Sequence, residues 1–198
     1  MARVKTLTFR AHVMAVDRVE KRLRLVTSAL GDAAIPYAVV GGNAVAAWVG
    51  RVDPTATRAT RDVDLLIRRA DIGRVTGALK SLGFQREDLR SSTLFIDPDE
   101  PSRRSAVHVV WAGELVRPSY ALPAPSVEDA VADPEGFMVL DLPSLVRMKL
   151  TSLCDIDRVH VADMVRVGLI DTSVRSKLPE HLQDRLASIE DSVEQDDA

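Results

Sequence analysis

The sequence is poor in the residues that build redox and structural zinc sites. Its one cysteine, Cys154, cannot form an intrachain disulfide bond and has no companion for a Cys-x-x-Cys metal site. We therefore expect no disulfide or zinc chemistry. We expect Cys154 to be a small buried hydrophobic residue.

Long hydrophobic runs are also absent. No stretch approaches the roughly 18 to 20 consecutive apolar residues that a membrane span requires. The N-terminal segment MARVKTLTFRAH lacks the apolar core of a secretory signal. Both observations predict a cytoplasmic protein with no membrane partner.

Neither sign of charge dominates, and the formal net charge is -3 at pH 7. Such a charge gives no general attraction to nucleic acid, although several arginines are close together in the sequence. These arginines are Arg51, Arg58, Arg61, Arg68 and Arg69. A solvated surface explains them most simply, and RNA binding stays open.

The chain does contain enough hydrophobic sequence for one ordinary core. It has 198 residues, of which 46% are hydrophobic and 28% are charged, as is typical of a globular domain. Apolar spacing and turn residues predict a regular first part. Its elements are a helix at 13–30, a strand at 37–40, a helix at 43–49, a loop at 50–60, a strand at 62–67, a helix at 71–82, and antiparallel strands at 93–96 and 106–111.

The second part is predicted to be irregular before it becomes helical. Four prolines in residues 117–136 favour a surface excursion. The elements expected after it are a short edge strand at 137–140, a helix with Asp141 as N-cap and Pro143 in its first turn, and helices at about 157–167 and 179–190. The predicted organisation is a core at 1–116, the excursion at 117–136, a C-terminal strand and helical segment at 137–190, and a disordered acidic tail at 191–198.

A double glycine joins the first predicted strand to the second predicted helix. Gly41 and Gly42 follow the apolar run YAVV, and Asn43 is the expected N-cap of the helix. A glycine turn at a helix N-terminus offers free backbone N–H groups and close access for a phosphate. A double glycine by itself also serves as an ordinary tight turn, so its role depends on what surrounds it.

Two aspartates lie two positions apart on the predicted strand at 62–67. Side chains at that spacing project from the same face of a strand, which brings Asp62 and Asp64 together. Two adjacent carboxylates repel each other without a cation, and hard oxygen ligands suit Mg²⁺ that also binds substrate phosphates. Two solvated aspartates at an exposed strand end are the alternative.

Together the glycine turn and the aspartate pair are more specific than either feature alone. The pattern VVGGNAVAAW followed by RATRDVDLLI resembles the DNA polymerase β-like nucleotidyltransferase superfamily, in which such a turn precedes an Asp-x-Asp strand that binds metal and nucleotide. It is most similar to the bacterial branch of minimal and abortive-infection-type, toxin–antitoxin-like nucleotidyltransferases. The resemblance implies an α+β fold with a nucleotidyltransferase-type core, a small mixed sheet flanked by helices, and C-terminal helices.

The resemblance continues in LPSLVRMKLTSLCDIDRVHVADMVRVGLID, which is similar to the helical part of that branch. There a lysine and a downstream acidic residue complete the site, and Lys149 and Asp157 are the matching positions. Helical spacing would align Lys149, Asp157 and His160 along one stripe, with the lysine on a phosphate. A solvated helix face is the alternative for the two charged residues.

One position departs from the pattern of the superfamily. Active members usually have a third carboxylate on a later strand, and the best candidate here is His108 in SAVHVVW. Strand alternation places His108 on one face with Ala106 and Val110. We expect that face to be the one that carries Asp62 and Asp64. His108 is then either a metal ligand that favours Mn²⁺ over Mg²⁺, or a histidine hydrogen-bonded within the sheet.

The resemblance implies a metal-dependent nucleotidyltransferase that moves a nucleoside monophosphate from a nucleoside triphosphate, such as ATP, to a hydroxyl acceptor. The implied catalytic residues are Asp62, Asp64, Lys149 and Asp157. The implied ligands of Mg²⁺ or Mn²⁺ are Asp62, Asp64 and His108, and the implied nucleotide-binding residues are Gly41, Gly42, Asn43, Arg61 and Lys149. The acceptor (RNA, protein or a small molecule), the preferred base, any regulatory partner and the oligomeric state stay open.

Two other functions are compatible with the same residues. The first is a catalytically impaired nucleotide-binding or partner-binding module with the same fold, which His108 supports because it occupies the position of an expected carboxylate. The second is a metal-dependent glycosyltransferase that uses Asp62 and Asp64, although the chain has little sequence for the usual nucleotide-sugar domain. Transfer of labelled nucleotide into a cell extract separates an enzyme from a module that only retains nucleotide.

Overall fold

A computed structural model describes residues 9–196, with side chains described from residue 13 onwards. The helices in this part of the chain are α1 (Phe9–Asp32), α2 (Gly41–Gly50), α3 (Ile72–Ser81), α4 (Leu142–Ser152), α5 (Asp155–Arg166), α6 (Thr172–Ser176) and α7 (Glu180–Asp196). The strands are β1 (Ala38–Val40), β2 (Val63–Ile67), β3 (Gln85–Asp88), β4 (Thr93–Ile96), β5 (Val107–Trp111), β6 (Ala130–Ala132) and β7 (Met138–Leu140). None of the helices described here has the length and apolarity needed to cross a membrane.

These seven strands form one mixed sheet in the order β3-β4-β5-β2-β1-β7-β6. β1 is antiparallel to β2 and parallel to β7, while β2 is parallel to β5. β1 and β2 consist almost entirely of buried apolar residues, as central strands covered on both faces require. The predicted α+β fold with a small mixed sheet flanked by helices is therefore confirmed.

The sheet edges differ from the prediction. The prediction that residues 137–140 form an edge strand is wrong, because β7 lies between β1 and β6. β6 comes from the proline-rich excursion and is the true edge on that side. The opposite edge is β3, whose sequence QRED has no apolar residue, and it forms by backbone pairing with β4. Backbone pairing of short or polar strands leaves almost no sequence signal.

The N-termini of α4 and α2 are formed in different ways, one with a polar cap and one without. α4 follows Asp141, whose side chain accepts a hydrogen bond from the Ser144 amide at 2.8 Å, which confirms the predicted N-cap. α2 begins directly at Gly41, so the prediction of Asn43 as its N-cap is wrong and Asn43 lies in the first turn. Gly41 has a φ of 67°, a left-handed conformation that lets the chain turn from β1 into the helix without a polar cap.

The acidic C-terminal end is helical where the sequence predicts a disordered tail. α7 continues to Asp196, and residues 197–198 lie outside the described residues. Its buried residues recur every three to four positions, which explains why the helix extends. They are Leu182, Leu186, Ile189 and Val193.

The C-terminal helices pack on α2 beside the Gly41 turn. α4 ends at Ser152, the left-handed φ of 47° at the next residue, Leu153, stops the helix, and α5 starts at Asp155. α4, α5 and α7 contact one another, and both α4 and α5 contact α2. The sharp corner at Leu153 thus places the facing sides of two helices next to the start of α2.

Candidate active site

The turn between β1 and α2 lies against a carboxylate of β2. β1 and β2 pair with Val40 opposite Asp64. A Cβ atom on Gly41 would lie 1.9 Å from Oδ2 of Asp64, and the φ of Gly41 is 67°. Both the backbone conformation and the close approach of the carboxylate therefore require glycine at this position.

The Asp64 carboxylate is held without a compensating donor. No residue in the described part of the chain donates a hydrogen bond to it, whereas Asp62 accepts one from Thr60. Burial, followed by the nearby charge of Asp62, raises the pKa of Asp64 to about 6. Asp62 lies just before β2, which begins at Val63, so the strand predicted at 62–67 starts one residue later than expected and a shared strand face for the two aspartates stays a prediction. Such a pair is stabilised by a cation.

Asp62 is fixed by its neighbours at both its backbone and its side chain. The Asn43 side chain donates to the Asp62 carbonyl at 2.7 Å, and the Thr60 hydroxyl donates to Asp62 Oδ1 at 2.9 Å. Asn43, predicted to bind nucleotide, thus uses its amide N–H to position Asp62. Gly42 packs against Thr60, because a Cβ at Gly42 would lie 3.1 Å from both Cβ and Oγ1 of Thr60.

Lys149 and Asp157 form a buried ion pair between two helices. Lys149 Nζ on α4 donates to Asp157 Oδ1 on α5 at 2.6 Å, and both side chains are 9% exposed. A solvated helix face is therefore wrong for both residues. The single helical stripe is also wrong, because the corner at Leu153 separates the two helices. Burial acts to raise the pKa of Asp157, but the Lys149 charge and donated hydrogen bonds hold it below its usual value.

Cys154 is exposed, which corrects the prediction that it is buried. It is the N-cap residue of α5, at the surface corner between the two helices. Its thiol donates to Asp157 Oδ2 at 3.0 Å and supports the buried carboxylate from outside.

His160 lies on α5 behind the glycine turn. Its Cε1 atom would be 3.7 Å from a Cβ on Gly42, and its Nδ1 atom is buried without a hydrogen-bond partner in the described part of the chain. Burial, followed by the nearby Lys149 charge, lowers the pKa of His160 to about 4. The imidazole is therefore neutral near pH 7.

A cavity of about 140 Å³ connects the two halves of the site. Gly41 and Asp64 line it on the sheet side, and Lys149 and Asp157 line it on the helix side. The proline-rich excursion also lines it, through apolar residues and Tyr120, whose hydroxyl is hydrogen-bonded to that of Ser152 at 2.8 Å. Tyr120 and Ser152 carry no motif, so sequence reasoning missed them.

His108 is on the strand next to Asp64. Asp64 and His108 are paired in the parallel register of β2 and β5, so their side chains share one face, as predicted. The His108 Nε2 atom donates to the Arg103 carbonyl at 2.9 Å, in the short 3-10 turn before β5, so His108 is hydrogen-bonded as the alternative supposes but to a group outside the sheet. A role in metal binding would use Nδ1 and stays a prediction.

The clustered arginines differ in their surroundings. Four of them pair with carboxylates, in the pairs Arg51–Asp133, Arg58–Asp163, Arg68–Glu128 and Arg69–Glu114. Arg61 is exposed beside Asp62, and its side chain has no ion-pair partner among the described residues. Its predicted contact with nucleotide stays open.

The donor set fits a metal that is shared with a substrate. Among residues 13–196, no group of three or more histidine, cysteine, aspartate or glutamate side chains is arranged to hold an ion. The carboxylates of Asp62 and Asp64 are near enough for the charge of Asp62 to raise the pKa of Asp64. Mg²⁺ is commonly bound by one or two carboxylates together with substrate phosphates and water, so two ligands are sufficient for a nucleotide-dependent metal site.

Comparisons with known proteins agree with this arrangement at the level of fold. No family model and no curated protein sequence matches the chain. The solution structure of the antibiotic-resistance factor ANT(2'')-Ia is similar with a TM-score of 0.55 and 17% identity, covering 91% of this chain and 97% of that one. An antigenic nucleotidyltransferase-like protein from Paracoccidioides brasiliensis has a TM-score of 0.53 and 18% identity, covering 89% and 94%. The chain therefore has the fold of nucleotidyltransferases.

Proposed function

We propose that this protein is a metal-dependent nucleotidyltransferase that moves a nucleoside monophosphate from a nucleoside triphosphate to a hydroxyl acceptor. The proposal is supported most by Asp64, whose carboxylate lies against the Gly41 turn at the N-terminus of α2, together with its neighbour Asp62. A raised pKa at Asp64 and the lack of a described donor indicate a site that a cation would stabilise. The nucleotidyltransferase fold supports the same chemistry.

The residues of this chain have distinct proposed roles. Asp62 and Asp64 would hold Mg²⁺ or Mn²⁺, which when bound neutralises phosphate charge. Backbone N–H groups at the start of α2 bind the phosphate chain, helped by the positive end of the helix dipole. Lys149 lines the same cavity and would contact phosphate, while Asp157 holds its ammonium group in position.

Asp157 is proposed to act on the substrate only through Lys149. Its carboxylate is already engaged by Lys149 and Cys154, and its pKa is lowered, so it is a poor proton acceptor at neutral pH. This refines the catalytic role that the resemblance implies for Asp157. The acceptor, for which RNA, protein and small molecules are candidates, and membership of the bacterial minimal branch stay predictions.

A transfer assay tests the proposed function directly. The purified protein is incubated with Mg²⁺ or Mn²⁺, nucleoside triphosphates labelled at the α-phosphorus, and a cell extract as source of acceptors. We expect label in a macromolecule or metabolite, and its loss in Asp62→Asn. Asp191→Asn, at an exposed position on α7, is the matched control. Tight metal-dependent binding of nucleotide without transfer would overturn the proposed enzyme activity and favour the binding module.

The binding module is favoured by one observation. His108 stands in register with Asp64, where a third carboxylate is expected, and its Nε2 atom donates to a backbone carbonyl of the turn before β5. A site with two carboxylates can bind a metal-nucleotide complex while it lacks a group to accept the proton of the acceptor hydroxyl. The transfer assay therefore decides between these two functions.

A further inference from the structure

The loop that leads into β2 is bound to α5 by an ion pair at Arg58, shortly before the aspartate pair. Arg58 donates to both carboxylate oxygens of Asp163, at 2.5 and 3.0 Å. Asp163 is buried on α5, and paired N–H donors of an arginine hold a carboxylate with defined geometry. This contact holds the loop two residues before Thr60.

Thr60 itself is confined by its packing. A Cβ atom at Gly42 would approach Thr60 Cβ and Oγ1 to 3.1 Å, so the threonine rests on the glycine turn of α2. His160 of α5 faces the same point of Gly42. Thr60 therefore lies where α2, α5 and the loop meet, and its hydroxyl has a restricted position.

That hydroxyl contacts the first aspartate of the pair. Thr60 Oγ1 donates to Asp62 Oδ1 at 2.9 Å, while Asn43 holds the Asp62 backbone carbonyl. Repulsion from Asp64 favours rotation of the Asp62 carboxylate away from the pair. A fixed donor on Oδ1 opposes this rotation and leaves Oδ2 available.

We propose that Thr60 is a positioning residue that orients the Asp62 carboxylate for the metal-nucleotide complex. This inference rests on the proposed function, because it assumes that Asp62 binds metal. Partners that orient a metal ligand through a hydrogen bond commonly contribute about 10- to 100-fold to metal affinity. The Arg58–Asp163 contact and the packing on Gly42 hold Thr60 in place, so the orientation of Asp62 depends on the docking of α5.

The test compares variants that differ in one hydroxyl group. Thr60→Val removes the donor and keeps the branched shape, whereas Thr60→Ser keeps the donor. Thr57→Val is the matched control, because Thr57 lies in the same loop and its hydroxyl donates to the Pro54 carbonyl at 3.0 Å. Mn²⁺ affinity is measured by electron paramagnetic resonance with a non-hydrolysable ATP analogue, and folding is followed by thermal unfolding without metal.

We expect the Kd for Mn²⁺ to rise at least about tenfold in Thr60→Val. In Thr60→Ser and Thr57→Val it should change by less than about threefold, as for substitutions that leave the ligand geometry intact. Excess Mn²⁺ should restore nucleotide binding by Thr60→Val, because its ligands are still present. If Thr60 had only a structural role, Thr60→Val would lower the unfolding temperature, and excess Mn²⁺ would not restore nucleotide binding.

The outcomes separate the inference from the function on which it rests. If the parent protein binds no Mn²⁺-nucleotide complex, the proposed function fails. If the parent binds it and folded Thr60→Val binds it equally well, only the positioning role is overturned. Should Thr60→Val unfold, the smaller Thr60→Ala replaces it, and parent-like Mn²⁺ affinity in folded Thr60→Ala overturns the positioning role.

Discussion

At the scale of single residues, Gly41 is the position where the backbone and the site depend on each other most directly. Gly41→Ala places a Cβ 1.9 Å from Asp64 Oδ2 and also strains a φ of 67°. Gly113→Ala is a matched control, because Gly113 has a φ of 73° and a Cβ added there would meet nothing within 4 Å. The control should cost about 1 kcal/mol in the free energy of unfolding, from backbone strain alone.

We expect Gly41→Ala to lower the free energy of unfolding clearly more than Gly113→Ala, since the clash adds to the strain. Urea unfolding of the three proteins measures both values. Equal losses in the two variants would mean that the Asp64 carboxylate moves away from Gly41 without difficulty, and that the close contact has no energetic role.

The charged carboxylate of Asp64 should lower the stability of the folded protein when no metal is bound. Its folded pKa of about 6 lies above the usual 3.8, so the stability associated with its neutral form is lost as the pH rises from about 4 to 6. At pH 7.5 the Asp64→Asn protein without metal should therefore unfold with a free energy higher by about 1 to 3 kcal/mol. The same variant should lose metal-dependent nucleotide binding in calorimetry. Reduced stability of Asp64→Asn would show that the carboxylate serves packing.

His108 should influence the choice of metal. An imidazole in place of a carboxylate removes one negative charge from the site, and imidazole binds softer cations more readily than it binds Mg²⁺. A unit charge at 4 Å is worth about 4 kcal/mol at an effective dielectric constant of 20. We expect the parent protein to bind nucleotide better with Mn²⁺, and His108→Asp to shift the preference towards Mg²⁺. Identical preferences in calorimetric titrations with each metal would remove His108 from the site.

At the scale of elements, α4 and α5 are joined by the buried Lys149–Asp157 ion pair. The sharp turn at Leu153 between the two helices brings these residues together. Lys149→Met and Asp157→Asn should each destabilise the protein, the first by about 3 kcal/mol because it leaves a buried carboxylate without its partner. The double variant should lose less than the sum of the single losses. Urea unfolding of all four proteins completes the cycle.

The double variant also separates stability from function. It should fold and yet bind triphosphate more weakly than the parent, because the ammonium group that lines the cavity is gone. Parent-like nucleotide affinity in the double variant would limit Lys149 and Asp157 to a structural role.

Sequence patterns predicted the longer elements that have a buried apolar face and missed the short helix α6 and the strands β3 and β6. β1, β2, β4 and β5 were recognisable because apolar side chains fill them. β3 and β6 are short edge strands whose backbone bonds determine them, and their side chains are mostly exposed. α2 begins two residues earlier than predicted, because the left-handed Gly41 starts the helix and no polar N-cap is needed.

At the scale of the whole molecule, stability should fall in mild acid because of His160. Its folded pKa of about 4 lies below the usual 6.5, so the unfolded chain binds a proton first and the free energy of unfolding drops as the pH falls from 6.5 towards 4. At pH 5 this loss is about 2 kcal/mol. His160→Gln should flatten the dependence between pH 7 and 5, while His181→Gln, at an exposed position on α7, should not. Parallel pH profiles for all three proteins would contradict the burial of a neutral His160.

The sequence by itself determined the parts of this protein that depend on neighbouring residues in the chain. The spacing of Asp62 and Asp64, the glycine turn before α2 and the apolar strands are local features of the sequence, and together they carry the resemblance that implied the fold and the candidate metal ligands. The tertiary structure decided what distant residues do to them. Lys149 and Asp157 lie on two different helices and form a buried ion pair. Thr60 and Asn43 donate hydrogen bonds to Asp62. Such contacts depend on how elements pack, and no local pattern encodes them.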